Sequence, residues 1–385
     1  MYQGNFFVMR KEEDRKYMEM ALGLAEKGLG HVDPNPMVGA VIVRDGRVLS
    51  AGWHRKYGSL HAERDALSSC PEDPAGATMY VTLEPCCHYG KQPPCTSAII
   101  EAGISRVVMA MYDPNPLVAG HGAELLREKG IEVVSGLCEA EARYLNRVFV
   151  KYISEGLPWV VHKTAMTLDG HIATVSGDSR WVSCEESRRT VHEMRGHYTG
   201  IMAGIGTVLA DDPMLNCRID GMRQPVRIIV DSLARLSCDS AIARSAETYR
   251  TVLAHTAAAG RDNLEKLRGC GIMTIECASG KDGKVNLHDL MRRLGQMSVN
   301  SILLEGGAAL AWSMISEGLV NERYIFVAPK ISGGENAKCP VGGAGFDKMR
   351  QALQVDVESV TQSGTDWLFH CFPADRTPLP VHEKE

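Results

Sequence analysis

The chain carries His61-Ala62-Glu63, then Pro85-Cys86, then Cys95, and this set limits the architectures open to it more than any other feature. Imidazole and thiolate are donors that zinc prefers, and three protein ligands leave a fourth position for water. A helical pattern opens at His61 and a strand pattern ends at Pro85-Cys86, so both parts of the set can meet where helix N-termini cluster and favour thiolate and hydroxide. Glu63, two residues past the histidine, is the carboxylate suited to move a proton between substrate and a water whose pKa the metal lowers to about 7. A lone His-x-Glu is most often a surface histidine beside an acid. The added Pro-Cys and second Cys make it a ligand set.

The pattern around these residues is α/β. Tyr17, Met20, Ala21 and Leu24 fall three and four apart and predict an amphipathic helix over residues 11–28, ending near Gly28 and Gly30. Strands over 38–43 and 48–53 flank Asp45-Gly46, a hairpin signal. A helix over 61–69, a strand over 79–83, a helix over 96–102 and a strand over 107–111 complete a three-layer unit with helices on a mixed sheet. Residues 139–153 predict one closing helix, and Glu155-Gly156-Leu157-Pro158 reads as a linker. The expected domains are therefore 1–154 and 155–375, with a mobile tail at 376–385. Strands over 159–165, 226–230, 251–254, 272–275, 301–304 and 324–327 alternate with helical or glycine-rich segments, so the second half is a second α/β domain on a largely parallel sheet.

Composition narrows the class further. With 385 residues, 44% hydrophobic and 23% charged, the chain suits two packed domains rather than one. A net charge of -5 argues against a phosphate-tracking surface, so nucleic acid is not the expected partner. No stretch approaches the roughly 20 apolar residues of a membrane span, and 12 scattered cysteines suit a soluble, cytoplasmic protein whose thiols are buried or bind metal.

His61-Ala62-Glu63 with Thr82-Leu83-Glu84-Pro85-Cys86 resembles the cytidine and deoxycytidylate deaminase superfamily. By that resemblance His61, Cys86 and Cys95 bind zinc and Glu63 is the proton shuttle. Most nucleobase deaminases close the site with C-x-x-C, whereas eight residues, 87–94, separate the cysteines here. That long loop, with Asp33-Pro34-Asn35-Pro36-Met37-Val38-Gly39 upstream, is similar to the deaminase half of bifunctional riboflavin-biosynthesis deaminase/reductases. Lys163 to Gly170, Gly204-Ile205-Gly206-Thr207-Val208, Asp211-Asp212-Pro213 and Glu305-Gly306-Gly307 resemble the reductase half. The implied fold is a cytidine-deaminase-like three-layer domain followed by a dihydrofolate-reductase-like domain. Cys87, beside Cys86, departs from the family pattern, and the resemblance keeps Cys86 as the ligand.

The resemblance implies a small-molecule substrate, a diaminopyrimidinone bearing a phosphoribosylamino group. It loses its ring amine as ammonia, and its ribosyl C1′ is then reduced by NADPH to ribityl. Asn35, His54, His88 and Lys91 are carried over as ring and phosphate contacts. Ala165, Trp181, Thr207, Asp211, Ser232 and the turn Gly307, Ala308, Ala309, Leu310, Ala311, Trp312, Ser313 are carried over to NADPH, and Ser179, Leu215, Arg218 and Glu305 to the substrate. The planar fork of Arg218 suits a phosphate, and Lys163 and Asp211 are candidates for moving a proton. A homo-oligomer is expected.

Without the resemblance, Glu305-Gly306-Gly307 before a helix is a plausible anion cradle, but it is not G-x-G-x-x-G, and a Gly-Gly helix start that merely packs gives the same pattern. Two other readings remain. A polynucleotide deaminase fused to a binding module lacks the basic stripe and aromatic platform it needs. A deaminase with a non-catalytic, nucleotide-binding or oligomerising second domain would release ammonia without oxidising NADPH.

Overall fold

The computed structural model describes residues 2–89, 93–115 and 118–374, with side chains from Glu12 onward. The chain forms two compact units that divide between Glu155 and Gly156.

The first unit runs α1 (Tyr2–Ala25), β1 (Gly39–Arg44), β2 (Arg47–Trp53), α2 (Ala62–Ser68), β3 (Thr78–Leu83), α3 (Cys95–Glu101), β4 (Arg106–Met111), α4 (His121–Glu128), β5 (Glu132–Ser135), α5 (Glu139–Leu145) and α6 (Arg147–Glu155). Its sheet has the order β2-β1-β3-β4-β5. The β2-β1 and β1-β3 pairings are antiparallel, and β3-β4 and β4-β5 are parallel. Asp45 and Gly46 both take positive φ, 52° and 73°, which the tight β1-β2 turn requires. Gly39 and Gly52 show why helices can clasp the sheet from both sides. Gly39 pairs with Trp53 and Gly52 with Ala40, so the two glycines face opposite ways. A Cβ at Gly39 would lie 2.0 Å from the Ala21 carbonyl of α1, and one at Gly52 would lie 2.3 Å from the Ala66 nitrogen of α2. Val41, Ile42, Met79, Val81, Val107 and Met109 fill the core.

The single closing helix expected over 139–153 is instead two helices, interrupted at Asn146. The side chain of Asn146 accepts from the Met37 N–H and donates to the Met37 carbonyl. The break therefore fixes the 33–37 loop that the sequence had marked.

The second unit runs β6 (Trp159–Thr167), α7 (Glu185–His197), β7 (Gly200–Gly204), α8 (Ile205–Asp211), β8 (Val226–Val230), α9 (Ala241–Arg244), β9 (Thr251–His255), α10 (Arg261–Gly269), β10 (Met273–Glu276), α11 (Leu287–Gln296), β11 (Ser301–Leu304), α12 (Ala308–Ser316), β12 (Glu322–Ala328), β13 (Val355–Ser363) and β14 (Asp366–Pro373). The strand order is β10-β9-β8-β7-β11-β6-β12-β14-β13. Pairings from β10 through β12 are parallel, and the β13-β14 hairpin joins antiparallel at one edge. Alternate residues of these strands enter two cores, Met202, Ile228 and Ile302 in one and Ile201, Ile229 and Leu253 in the other. Burial on both faces is why the strands read as continuous apolar runs. Strand β11 is inserted between β7 and β6 although it follows both in the chain, so the order of connection reverses there. Ligands of open α/β sheets bind at such a reversal, beyond the carboxyl ends of the strands. Among the described residues no helix is long and apolar enough to cross a membrane.

Candidate functional site

In the first unit, local chain geometry delivers each residue of the proposed zinc set. His61 is the N-cap of α2, in extended conformation at φ -70° and ψ 159°, and Glu63 lies in the first turn of the same helix. Cys86 follows the end of β3, and Cys95 opens α3 after Pro94. The Nδ1 of His61 is 3.6 Å from Cys86 Sγ and 3.4 Å from Cys95 Sγ, and the Cys95 N–H donates to Cys86 Sγ at 3.3 Å. All three ligand atoms lie within 4.8 Å of one another. Nitrogen and sulfur bound to one tetrahedral zinc at about 2.1 and 2.3 Å stand roughly 3.6 Å apart, so the donor set fits that ion in chemistry and in spacing. Cys87 is not part of the cluster.

Proton affinities follow from this crowding. Cys86 is pulled down to about 4, first by a hydrogen bond from Cys95 and further by His61, while Cys95 is pushed well above the usual thiol value by the same contact. Glu63 is 4% exposed. Burial, with the Cys86 charge adding to it, pushes its carboxyl up to about 7. A carboxyl titrating there can both take and return a proton near neutrality.

His54 is buried beside His61, with ring centroids 5.5 Å apart, and Asn35 hydrogen-bonds to it. His88 is exposed on the loop after Cys87. Lys91 lies outside the described residues. Two further groups were not singled out from sequence. Glu84 is buried, and its carboxylate accepts from the N–H groups of Asp113, Gly120 and Ala123, which holds the segment between β4 and α4. Burial pushes the Asp113 carboxyl up to about 7 against the pull of the Asn115 N–H, with Glu84 and Cys86 adding to the rise. A signal was present, because Asp113-Pro114-Asn115-Pro116 repeats Asp33-Pro34-Asn35-Pro36.

In the second unit some of the carried-over residues lie at the carboxyl ends of the strands on either side of β11. Ala165 is near the end of β6, Thr207 follows β7 on α8, Ser232 follows β8, and Glu305 to Gly307 follow β11. The Gly307 N–H donates to Thr207 Oγ1 at 2.8 Å. A Cβ on Gly306 would stand 2.9 Å from the Ala203 Cα, so the first glycine of the pair is required for close backbone approach to β7. Within the run Gly307 to Ser313, Ala311 and Leu310 face inward, Ala311 being fully buried. Trp312 packs edge-on against Phe346, and the Ser313 hydroxyl donates to the Ala309 carbonyl. Only the first turn of a helix presents free N–H groups to an anion. Trp181 is 61% exposed with the Arg188 guanidinium 4.5 Å from its ring centre. Ser179 is half-buried, Asp211 and Arg218 are exposed, and Leu215 sits in the core at positive φ, 48°.

Glu305 is the charged centre of this edge. Arg195 of α7, also absent from the sequence reading, donates to it through two nitrogens at 2.7 and 2.9 Å, and Lys163 Nζ stands 3.9 Å away. Arg195 also donates to the Asn216 carbonyl. Burial alone would raise the Glu305 carboxyl, but Arg195 and Lys163 override it and hold the group down to about 2. Lys163 is itself lowered, chiefly by burial.

Comparison with known proteins finds matches for both halves of the chain. Residues 11–111 match the family model described as the cytidine and deoxycytidylate deaminase zinc-binding region, and residues 158–369 match the RibD C-terminal domain. The chain is 46% identical over 355 residues to the riboflavin biosynthesis protein RibD of Actinobacillus pleuropneumoniae, covering 92% of this chain and 94% of that one. It is 38% identical to RibD of Escherichia coli, over 93% of this chain and 99% of that protein. Among solved structures, a form of Acinetobacter baumannii RibD superposes with a TM-score of 0.86 at 37% identity, covering 95% of this chain and all of that one. This chain belongs to the RibD family of riboflavin biosynthesis enzymes, with a zinc-dependent deaminase in its first unit and an NADPH-dependent reductase in its second.

Proposed function

We propose that His61, Cys86 and Cys95 hold the zinc and that Glu63 carries the proton in deamination. The observation that supports this most directly is the 4.8 Å cluster of three ligand atoms beside a buried carboxyl raised to about 7. Zinc, when bound, acts as a Lewis acid that brings the pKa of water to about 7. Glu63 takes one proton from the water as its oxygen bonds to the ring carbon and delivers it to the neighbouring ring nitrogen; it then takes the remaining proton of the added hydroxyl and gives it to the amine, whose C–N bond breaks to release ammonia. A related protein of Thermotoga maritima, 36% identical with a TM-score of 0.83, is titled a diaminohydroxyphosphoribosylaminopyrimidine deaminase and 5-amino-6-(5-phosphoribosylamino)uracil reductase. We assign the same two substrates here, with Asn35, His54, His88 and Lys91 at the first.

In the second unit we assign NADPH to Ala165, Trp181, Thr207, Asp211, Ser232 and the turn from Gly307 to Ser313, and the uracil intermediate to Ser179, Leu215, Arg218 and Glu305. NADPH would supply a hydride to C1′ of the ring-opened ribosyl imine, whose nitrogen takes the balancing proton, with Lys163 and Asp211 as the candidates to move it. Glu305 stays ionised and orients its partners rather than giving up a proton, and Arg218, with no carboxylate against its side chain among the described contacts, is free for the phosphate. The domains are assigned as 1–154 and 155–375. Exposed Val355, Val357, Val360 and Trp367 on the edge hairpin β13-β14 support a homo-oligomer, and the thiol ligands and NADPH chemistry support a cytoplasmic setting.

One assay tests the pair of reactions. The phosphoribosylated diaminopyrimidinone is supplied with NADPH, and ammonia release and loss of nicotinamide absorbance are followed together. Ammonia without NADPH oxidation refutes the reductase assignment.

A further inference from the structure

Between α8 and β8, residues 212–218 form neither helix nor strand, yet this strap carries Leu215 and Arg218. Side chains hold its backbone groups in place of a ladder. Arg227 of β8 donates to the Met214 carbonyl at 3.2 Å, and Arg195 of α7 to the Asn216 carbonyl at 3.1 Å. Leu215 and Cys217 are buried, and the Cys217 thiol donates to the His192 carbonyl. Arg218, the next residue, is exposed.

The peptide that joins Cys217 to Arg218 is gripped from both sides. Gln224 Oε1 accepts from the Cys217 N–H at 3.0 Å, and Gln224 Nε2 donates to the Cys217 carbonyl at 2.9 Å. The Arg218 N–H donates to His192 Nδ1 at 3.3 Å. The carbonyl and N–H of a trans peptide point opposite ways in one plane, so partners on both leave that plane little freedom to turn. The direction in which the Arg218 Cα sends its side chain is set with it.

Gln224 is itself firmly based. Arg223 donates to the His197 carbonyl at the end of α7 at 2.6 Å. Pro225 is buried, and its ring fixes φ. Met222 lies close enough to α7 that a Cβ on Gly196 would stand 2.6 Å from its terminal methyl. The glutamine side chain is nonetheless exposed and fills no core. Among the described contacts, both of its hydrogen bonds to backbone go to Cys217.

We propose that Gln224 is a positioning residue of the reductase, which holds Cys217 so that the Arg218 guanidinium is presented to the phosphate of the uracil intermediate, while Gln224 itself touches no substrate. This rests on assigning that phosphate to Arg218. Paired N–H bonds to a phosphate demand a set orientation of the guanidinium, and a steady base for the side chain lowers the ordering cost of binding.

The test uses the full-length, zinc-loaded protein with NADPH, the variants Gln224→Met and Arg218→Ala, and the two combined. Methionine keeps the length of the side chain and lacks the amide. Thermal midpoint and ammonia release serve as controls. Reduction of the uracil intermediate is compared with reduction of its dephosphorylated form. Gln224→Met is expected to raise KM for the phosphorylated intermediate roughly fivefold to tenfold with kcat within about twofold, and to leave the dephosphorylated form unchanged. It should add nothing to Arg218→Ala in the combined variant. A maleimide, with the modified peptides mapped by mass, should reach the buried Cys217 about tenfold faster in Gln224→Met than in the parent. An unchanged KM, equal losses on both forms, losses that multiply in the combined variant, or an unchanged Cys217 rate each overturns the proposal. Arg218→Ala that treats both forms alike refutes the phosphate assignment instead, and the role of Gln224 falls with it; a Cys217 rate that still rises tells that failure from failure of the clamp.

Discussion

Replacing Arg195 with leucine should strand the Glu305 carboxylate. In the folded protein this carboxylate is held by two Arg195 nitrogens at 2.7 and 2.9 Å, with Lys163 3.9 Å away. Breaking a buried pair from one side costs about 3–5 kcal/mol, because the remaining charge keeps its desolvation penalty and loses its compensation. A unit of this size shifts by about 2–4 °C per kcal/mol, so Arg195→Leu should lower the melting transition of the second unit by roughly 6–20 °C. Burial, no longer overridden by the guanidinium, should carry the Glu305 carboxyl upward from about 2. NADPH oxidation should then be lost, while ammonia release stays within about twofold of the parent. The diagnostic variant is Arg195→Leu combined with Glu305→Leu. It removes the carboxylate together with the guanidinium and should recover at least half of the lost stability, but it should recover no reduction. Differential scanning calorimetry and the two-product assay read these outcomes. A double variant as unstable as the single one would show that the stranded carboxylate is not the cause, and the reasoning would fail.

Glu63→Gln should retain zinc by metal analysis yet slow ammonia release by about 10²–10⁴-fold, the range for a lost acid-base group; full activity with zinc bound would exclude Glu63 as the shuttle. Cys95→Ser should weaken zinc binding, whereas substitution of the exposed Cys339 by serine should leave it unchanged, as titration with a competing chelator would show. His162 gives a stability prediction. Burial first, then Arg323 and Lys163, push its imidazole down to about 4 from 6.5. The unfolded chain therefore takes up a proton near pH 6.5 that the folded chain refuses until about pH 4. Stability from this group is complete above 6.5 and falls by about 3 kcal/mol as pH drops across that window. Denaturant titrations of His162→Gln should lack that slope.

The cluster of His61, Cys86 and Cys95 was legible in the sequence because each residue sits at a chemical landmark: a helix start for His61, a strand end for Cys86, a Pro-Cys helix entry for Cys95. Arg195 was not, since it lies inside an amphipathic helix 110 positions from Glu305, and only the sheet brings the two together. The same holds for Glu84, whose partners Asp113, Gly120 and Ala123 are backbone groups without sequence identity. Strand β7 was hidden by the glycines at both ends, of which Gly200 is crowded, since a Cβ there would meet Ile228 at 2.9 Å. The hairpin β13-β14 escaped notice because β13 is exposed along almost its whole length and carries polar residues among its valines. At Gly306-Gly307 the sequence allowed an anion cradle or a tight packing junction. The structure supplies a packing requirement for Gly306, and the first turn of α12 still presents its N–H groups.

The late arrival of β11 also bears on how the protein is made. The first unit is contained almost wholly in the opening 155 residues and can close as soon as they clear the ribosome. The reductase cannot, because β6 and β7 must wait side by side until synthesis reaches Ser301–Leu304. A nascent chain stopped before that point exposes one edge of β7 and both edges of β6, whose neighbours β11 and β12 are still to come, which invites mispairing with neighbouring chains. Slow translation ahead of β11 should therefore lower the yield of reductase more than that of deaminase from the same message.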